Sequence, residues 1–227
     1  YRHLLNKHKG HVNEFKDYSA DLNLFNKQIV DTYWPGKKIL VSHSMGGAIA
    51  FDYLAHFEHN FSGAFLSAPM LDIYTKNTPK PLAKLIASTA TLLGQKDNYA
   101  LGQTDYTPDE FATNVLTSSP VRYELFRQTY QKEPLLQLGG VTYGWLNATF
   151  AFITSVDNLS VTIPLYIASA QNDEVVDNNA QYKLANRHAN TVLKSFEGAK
   201  HELFFERDEI RQPLLKSLYQ FCESVTA

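Results

Sequence analysis

A serine set among small residues stands between an apolar run and a small-residue segment in Lys38-Ile39-Leu40-Val41-Ser42-His43-Ser44-Met45-Gly46-Gly47-Ala48-Ile49-Ala50. The pattern predicts a buried strand, a sharp turn and a helix packed through small side chains. In such a nucleophile elbow the serine adopts strained backbone angles and its hydroxyl stands above the sheet. The positions two before and two after the serine are expected to be small, because strand and helix cross closely there; they hold Ser42 and Gly46, where the usual G-x-S-x-G has glycines. Ser44 is the candidate nucleophile. Ordinary strand–helix junctions carry serines too, and what sets this one apart is the strand before it, the small-residue helix after it and suitable partners downstream.

A serine hydroxyl needs a base, and the base needs an orienting acid. In the order that accompanies an elbow, the acid comes first and the histidine second. Ile163 to Ala170 reads as a buried strand leading into the polar turn Gln171-Asn172-Asp173-Glu174-Val175-Val176-Asp177, and open α/β sheets place their sites at the carboxyl ends of strands. Asp173, first after the strand, is the better acid, whereas Asp177 suits the cap of a helix from about Asn178 to His188. On residue type alone, an aspartate in such a turn is more often a solvated turn or cap residue. Of the eight histidines, His201 follows a last strand, Thr191 to Phe196, and the turn Glu197-Gly198-Ala199-Lys200, and a helix from Asp208 to about Ser224 follows it. His43 is expected to point the other way off the elbow and to serve packing. His56, His59 and His188 fall near helix ends, where a cation suits the dipole; His3, His8 and His11 read as surface or loop residues. No H-E-x-x-H, cysteine pair or helical histidine pair offers a metal site, and the chemistry requires no cofactor.

The elbow SHSMGGAIAFDYL, the strand and turn Gly63-Ala64-Phe65-Leu66-Ser67-Ala68-Pro69-Met70, the turn QNDEVVDN and the segment GAKHELFFE resemble the lysophospholipase L2 and monoacylglycerol lipase group of α/β-hydrolases. The resemblance implies an α/β-hydrolase fold, a mostly parallel sheet with an inserted helical cap. It makes Asp173 the acid and His201 the base of Ser44. It further implies a serine esterase that cleaves lysophospholipid or monoacylglycerol through an acyl-enzyme, with the Met45 N–H as one oxyanion-hole donor. Acyl transfer on the same triad and a non-catalytic lipid-binding module on this scaffold are the alternative readings. YRHLLNKHKGHVNEFKDYSADL is similar to the family segment just after the fourth strand. The expectation is therefore a piece of a longer protein whose earlier strands, and the loop with the second oxyanion donor, precede Tyr1; Lys38 to Val41 would then be an exposed sheet edge.

The elements that must position these residues follow from the spacing. Asp17 to Asp31 reads as an amphipathic helix with Leu22, Leu24, Phe25, Ile29 and Val30 as a loose apolar face. Residues 1–70 and 161–227 form the expected hydrolase core. The intervening 71–160 is longer than a plain crossover needs and reads as a helical cap, with helices at Lys80–Leu93, Val121–Gln131 and Thr142–Val156. Aromatics at helical spacing in the last of these are more often core than ligand-binding. Tyr143-Gly144-Trp145-Leu146, however, resembles a family cap segment, which implies that Tyr143 and Trp145 touch the substrate and favours a lysophospholipid over a short ester.

The 227 residues, 44 % of them apolar, suit a globular domain with a sizeable core, and the net charge of −2 gives no electrostatic case for nucleic acid. A single cysteine, Cys222, excludes an internal disulfide in this sequence and is compatible with a reducing compartment. No apolar run has transmembrane length. A lipid ester substrate implies peripheral contact with the inner face of the cell membrane and a cytoplasmic location, expectations that rest on the resemblance.

Overall fold

Short apolar runs bounded by turn residues become strands in this chain, and longer runs with helical spacing become helices. The computed structural model describes residues 6–75 and 78–227; Tyr1 to Leu5, with His3 and the start of the family-like N-terminal segment, lie outside the described residues. Helix α1 (Lys16–Phe25) continues through a π-helical turn (Asn26–Val30) into α2 (Asp31–Tyr33). Then come β1 (Lys38–His43), α3 (Met45–His56), β2 (Phe61–Ser67), α4 (Lys80–Leu92), α5 (Pro120–Lys132), α6 (Tyr143–Val156), β3 (Leu165–Ala170), α7 (Asn178–Arg187), β4 (Thr191–Phe196) and α8 (Asp208–Thr226).

The four strands form one parallel sheet in the order β1-β2-β3-β4. Parallel sheets are covered on both faces, so their inner strands are apolar throughout. All six residues of β3 are buried, whereas β1 and β4 at the two edges are only partly so. Val41 of β1 is 46 % exposed, and among the described residues no strand lies on its outer side. The register sets His43 against Ser67 and Ser67 against Ala168. Because the strands run parallel, their carboxyl ends, with the loops that follow, share one edge of the sheet.

Helix α8 covers one sheet face. Phe65 and Tyr166 stack with ring centroids 4.8 Å apart, and Phe221 packs on both. A Cβ on Gly63 would lie 2.9 Å from Phe221 Cζ, so the missing side chain lets the helix seat on β2.

The N-terminal helix departs from expectation. Leu24, Phe25 and Ile29 of the anticipated apolar face are about half exposed, and the residues that bury are Ser19 and Asn26. Ser19 Oγ donates to Asp52 Oδ2, while Asn26 Nδ2 donates to Asp31 Oδ2 at 3.1 Å and to Tyr53 Oη at 3.2 Å. The π-helical turn, whose hydrogen bonds span five residues rather than four, begins at the buried Asn26. Burial, reinforced by the charge of Asp31, pushes the Tyr53 hydroxyl above its ordinary pKa.

The chain divides into two compact units. The sheet unit comprises Tyr18–Tyr74, Val115–Arg122 and Val156–Ala227; the helical unit comprises the chain through Asp17, Thr75–Asn114 and Tyr123–Ser155. Within 71–160, therefore, Val115–Arg122 clusters with the sheet. In the helical unit, Gly10 bridges Val141 and Tyr99 bridges Thr142, and Phe15 stacks on Phe152 at 4.2 Å.

Candidate active site

Strand β1 delivers its last residue, His43, directly to the turn at Ser44, and α3 begins at Met45. Ser44 has φ 52° and ψ −123°, a left-handed conformation that costs a non-glycine residue about 1–3 kcal/mol. The end of β2 braces it. The Ser44 N–H donates to Ser67 O at 2.9 Å, and Ser44 O accepts the Met70 N–H at 3.0 Å. Ala68, in the bracing turn after β2, also has positive φ, 42°, and its N–H donates to Ala168 O at 2.8 Å.

The close approach behind the elbow falls one residue later than the motif suggests. A Cβ on Gly46 would meet Ser42 Cβ at an ordinary 3.9 Å, whereas one on Gly47 would lie 2.7 Å from Pro69 Cβ and 2.9 Å from its Cα. Gly47 is thus the residue whose lack of a side chain lets α3 pass the β2 turn.

His201 is 3 % exposed. Its Nε2 lies 2.8 Å from Ser44 Oγ and its Nδ1 2.8 Å from Asp173 Oδ2. An ionised carboxylate only accepts, so Nδ1 carries the proton and Nε2 presents a lone pair to the Ser44 hydroxyl. The Asp173 side chain is 0 % exposed. Its Oδ1 accepts the N–H groups of Val175 at 2.8 Å and Val176 at 3.0 Å, which fixes the carboxylate plane. Asp177 caps α7, its Oδ1 accepting the Asn179 N–H at 3.0 Å.

The loop that carries His201 is tied at several points. The Lys200 N–H donates to Glu206 Oε1 at 2.8 Å and the Glu202 N–H to Leu116 O at 2.8 Å. Thr117 Oγ1 donates to Phe205 O at 2.7 Å. Glu206 is 0 % exposed and also accepts the N–H of Ser118 at 3.1 Å and of Arg207 at 3.1 Å. Val115–Arg122 straps the histidine loop in this way, which is why it clusters with the sheet.

His43 is the main correction to the sequence reading. It does not point away: its ring centroid is 4.8 Å from that of His201, with an interplanar angle of 53°. Its Nε2 lies 3.2 Å from Glu202 Oε1 and its Nδ1 3.4 Å from Ser67 Oγ. Burial acts to raise the Glu202 carboxyl, but the adjacent His43 and the charge of His201 outweigh it and hold the group below the usual carboxylate range. Sequence reasoning passed over Glu202 and Glu206. Their signal was two carboxylates four apart in the otherwise apolar Leu203-Phe204-Phe205 stretch directly after the candidate base.

Met45 is the first residue of α3, so its N–H has no intrahelical acceptor. Tyr143 and Trp145 belong to α6 and the helical unit, not to the unit that gathers Ser44, Asp173 and His201. Trp145 is 8 % exposed, and its N–H donates to Thr142 Oγ1 at 3.2 Å. Among the described residues, no three His, Cys, Asp or Glu side chains cluster so as to hold a metal ion, and no helix is long and apolar enough to cross a membrane.

A parallel sheet that leads through a strained serine elbow to an aspartate and then a histidine, after the carboxyl ends of β1, β3 and β4, is the architecture of an α/β-hydrolase. The chain belongs to the serine aminopeptidase S33 family, whose model matches residues 5–208. It is 32 % identical over 236 residues to lysophospholipase L2 of Escherichia coli, a match covering 97 % of this chain and 67 % of that protein. It is 26 % identical over 214 residues to monoglyceride lipase of Rattus norvegicus, covering 91 % of this chain and 65 % of that one. The fold is that of a soluble variant of monoglyceride lipase from Saccharomyces cerevisiae, with a TM-score of 0.73 and 18 % identity over 98 % of this chain and 73 % of the other.

Proposed function

We propose that this protein is a serine carboxylic-ester hydrolase that cleaves lysophospholipid or monoacylglycerol, with Ser44 as nucleophile, His201 as general base and acid, and Asp173 as the orienting acid. The observation that carries the reading is the unbroken chain Asp173–His201–Ser44, both links 2.8 Å, ending on the strained elbow. Ser44 Oγ attacks the ester carbonyl while its proton passes to His201 Nε2, and Asp173 stabilises the imidazolium. The oxyanion of the tetrahedral intermediate accepts the Met45 N–H. His201 then protonates the departing glycerol oxygen as the carbon–oxygen bond breaks, which leaves the acyl group on Ser44. Water, deprotonated by the same imidazole, attacks the acyl-enzyme and releases the fatty acid.

The substrate class draws its support from the relatives: lysophospholipase L2 at 32 % identity and monoglyceride lipase at 26 %. Tyr143 and Trp145 are the substrate-contacting residues on this reading, through the likeness of their segment to the family cap. Fluorophosphonate labelling with peptide mapping tests the nucleophile. Modification confined to Ser44 and lost in Ser44→Ala is the expected result; a folded protein that stays unlabelled sinks the assignment. Fatty-acid release from lysophospholipid, monoacylglycerol and a short-chain ester then tests the class, which fails if the short ester alone is turned over.

A further inference from the structure

Two consecutive residues of the elbow face two consecutive residues of the histidine loop. Ser44 meets His201 at 2.8 Å, and beside that link His43 Nε2 stands 3.2 Å from Glu202 Oε1. We propose that His43 and Glu202 form a second strut between elbow and histidine loop, which holds a carboxylate against the flank of His201 and so supports the imidazolium that forms when His201 takes the Ser44 proton. The inference rests on the triad reading above and adds two positioning residues to it.

The geometry carries both halves of this role. The His43 ring, tilted 53° to His201 at a centroid distance of 4.8 Å, fills the space into which the imidazole would otherwise swing. Ser67 Oγ, 3.4 Å from Nδ1, borders the His43 ring on its other side. The backbone of Glu202 is pinned by its N–H bond to Leu116 O, so the carboxylate stays where His43 meets it. The groups that meet His201 are then Asp173 from the loop after β3 and Ser44 and His43 from the elbow, with Glu202 of its own loop one step further out, against His43.

Glu202 gains little from a neutral imidazole and more from an imidazolium. Its attraction therefore grows as the proton moves, and that kind of interaction speeds a reaction rather than merely tightening binding. The Glu202 side chain is 29 % exposed, whereas that of Asp173 is fully buried. Solvent screens the flanking charge, so its effect is smaller than that of the in-line acid.

The test is the pH dependence of fluorophosphonate inactivation of the protein and its Glu202→Gln, Glu202→Asp and His43→Gln variants, with Ser44→Ala as control. Removing a negative charge beside His201 makes its imidazolium less favourable. In Glu202→Gln the acid limb should therefore move to lower pH by about 0.5–1 unit, with a several-fold lower plateau. Glu202→Asp should restore the limb position. A purely structural ion pair would alter the thermal midpoint and leave the limb in place, and an unmoved limb in folded Glu202→Gln overturns the proposal. Should Glu202→Gln fail to fold, an unchanged plateau in His43→Gln overturns it equally. Absence of Ser44-dependent labelling in the parent protein would instead sink the triad reading, so the two failures are distinguishable.

Discussion

The Glu206 carboxylate, 0 % exposed, accepts the Lys200 N–H at 2.8 Å, one residue ahead of His201. The same carboxylate accepts from Ser118 and Arg207, so a single side chain joins Val115–Arg122 to the histidine loop. Glu206→Ala removes a buried carboxylate that several partly buried donors share and should cost about 3 kcal/mol of stability. It should also lower kcat, because the loop that holds His201 loses its anchor. Urea unfolding followed by circular dichroism measures the first effect and ester hydrolysis the second. A loss below about 1 kcal/mol, the value of an ordinary surface contact, would remove Glu206 from this role.

The elbow, the acid turn and the histidine loop were legible because each joins a short apolar strand to a turn of distinctive composition. Glu202, Glu206 and His43 were not, since their roles depend on contacts across long stretches of sequence: 43 against 202, and 118 against 206. The N-terminal helix misled for a different reason. Its apolar residues have helical spacing, but the buried partners Asp52 and Tyr53 on α3 satisfy polar Ser19 and Asn26, and Leu24, Phe25 and Ile29 are left exposed. Periodicity reports a face, and the neighbouring element decides whether that face is buried. The motif also located the tight crossing at Gly46, where the decisive contact is between Gly47 and Pro69, a residue outside the motif.

That contact separates two substitutions of the same kind. Gly47→Ala drives a methyl against backbone-anchored Pro69 at 2.7 Å and 2.9 Å and should destabilise by about 1–3 kcal/mol. Gly46→Ala meets Ser42 at 3.9 Å, within a helix, and should be neutral or gain up to about 1 kcal/mol from helix propensity. Thermal unfolding of the pair checks the ordering, and equal midpoints would refute the crowding argument.

Asp173→Asn should be severe for activity and mild for stability. Val175 and Val176 both donate to Oδ1, so the amide oxygen of an asparagine takes that side and its NH2 group faces His201 Nδ1. An NH2 donor there requires the imidazole to carry its proton on Nε2, where it can no longer accept from Ser44. The expected fall in kcat is about 10⁴-fold. Steady-state kinetics on a monoacylglycerol decides it, and a loss of less than about tenfold would show that Asp173 does not set the tautomer.

The contact of Glu202 with His43 also leaves a signature in the stability curve. Its carboxyl titrates below the ordinary 4.5 in the folded state, so the unfolded chain binds the proton more readily. The contribution to stability is therefore fully present above pH 4.5 and is lost as pH falls through the folded value. Glu202→Gln should cost up to about 1 kcal/mol at pH 7, a modest figure because the pair is partly solvated. The difference from the parent protein should close once the pH lies below both values. Urea midpoints measured from neutral to acid pH test this directly. A gap that persists unchanged through the carboxylate range would mean that the glutamine loses packing rather than charge.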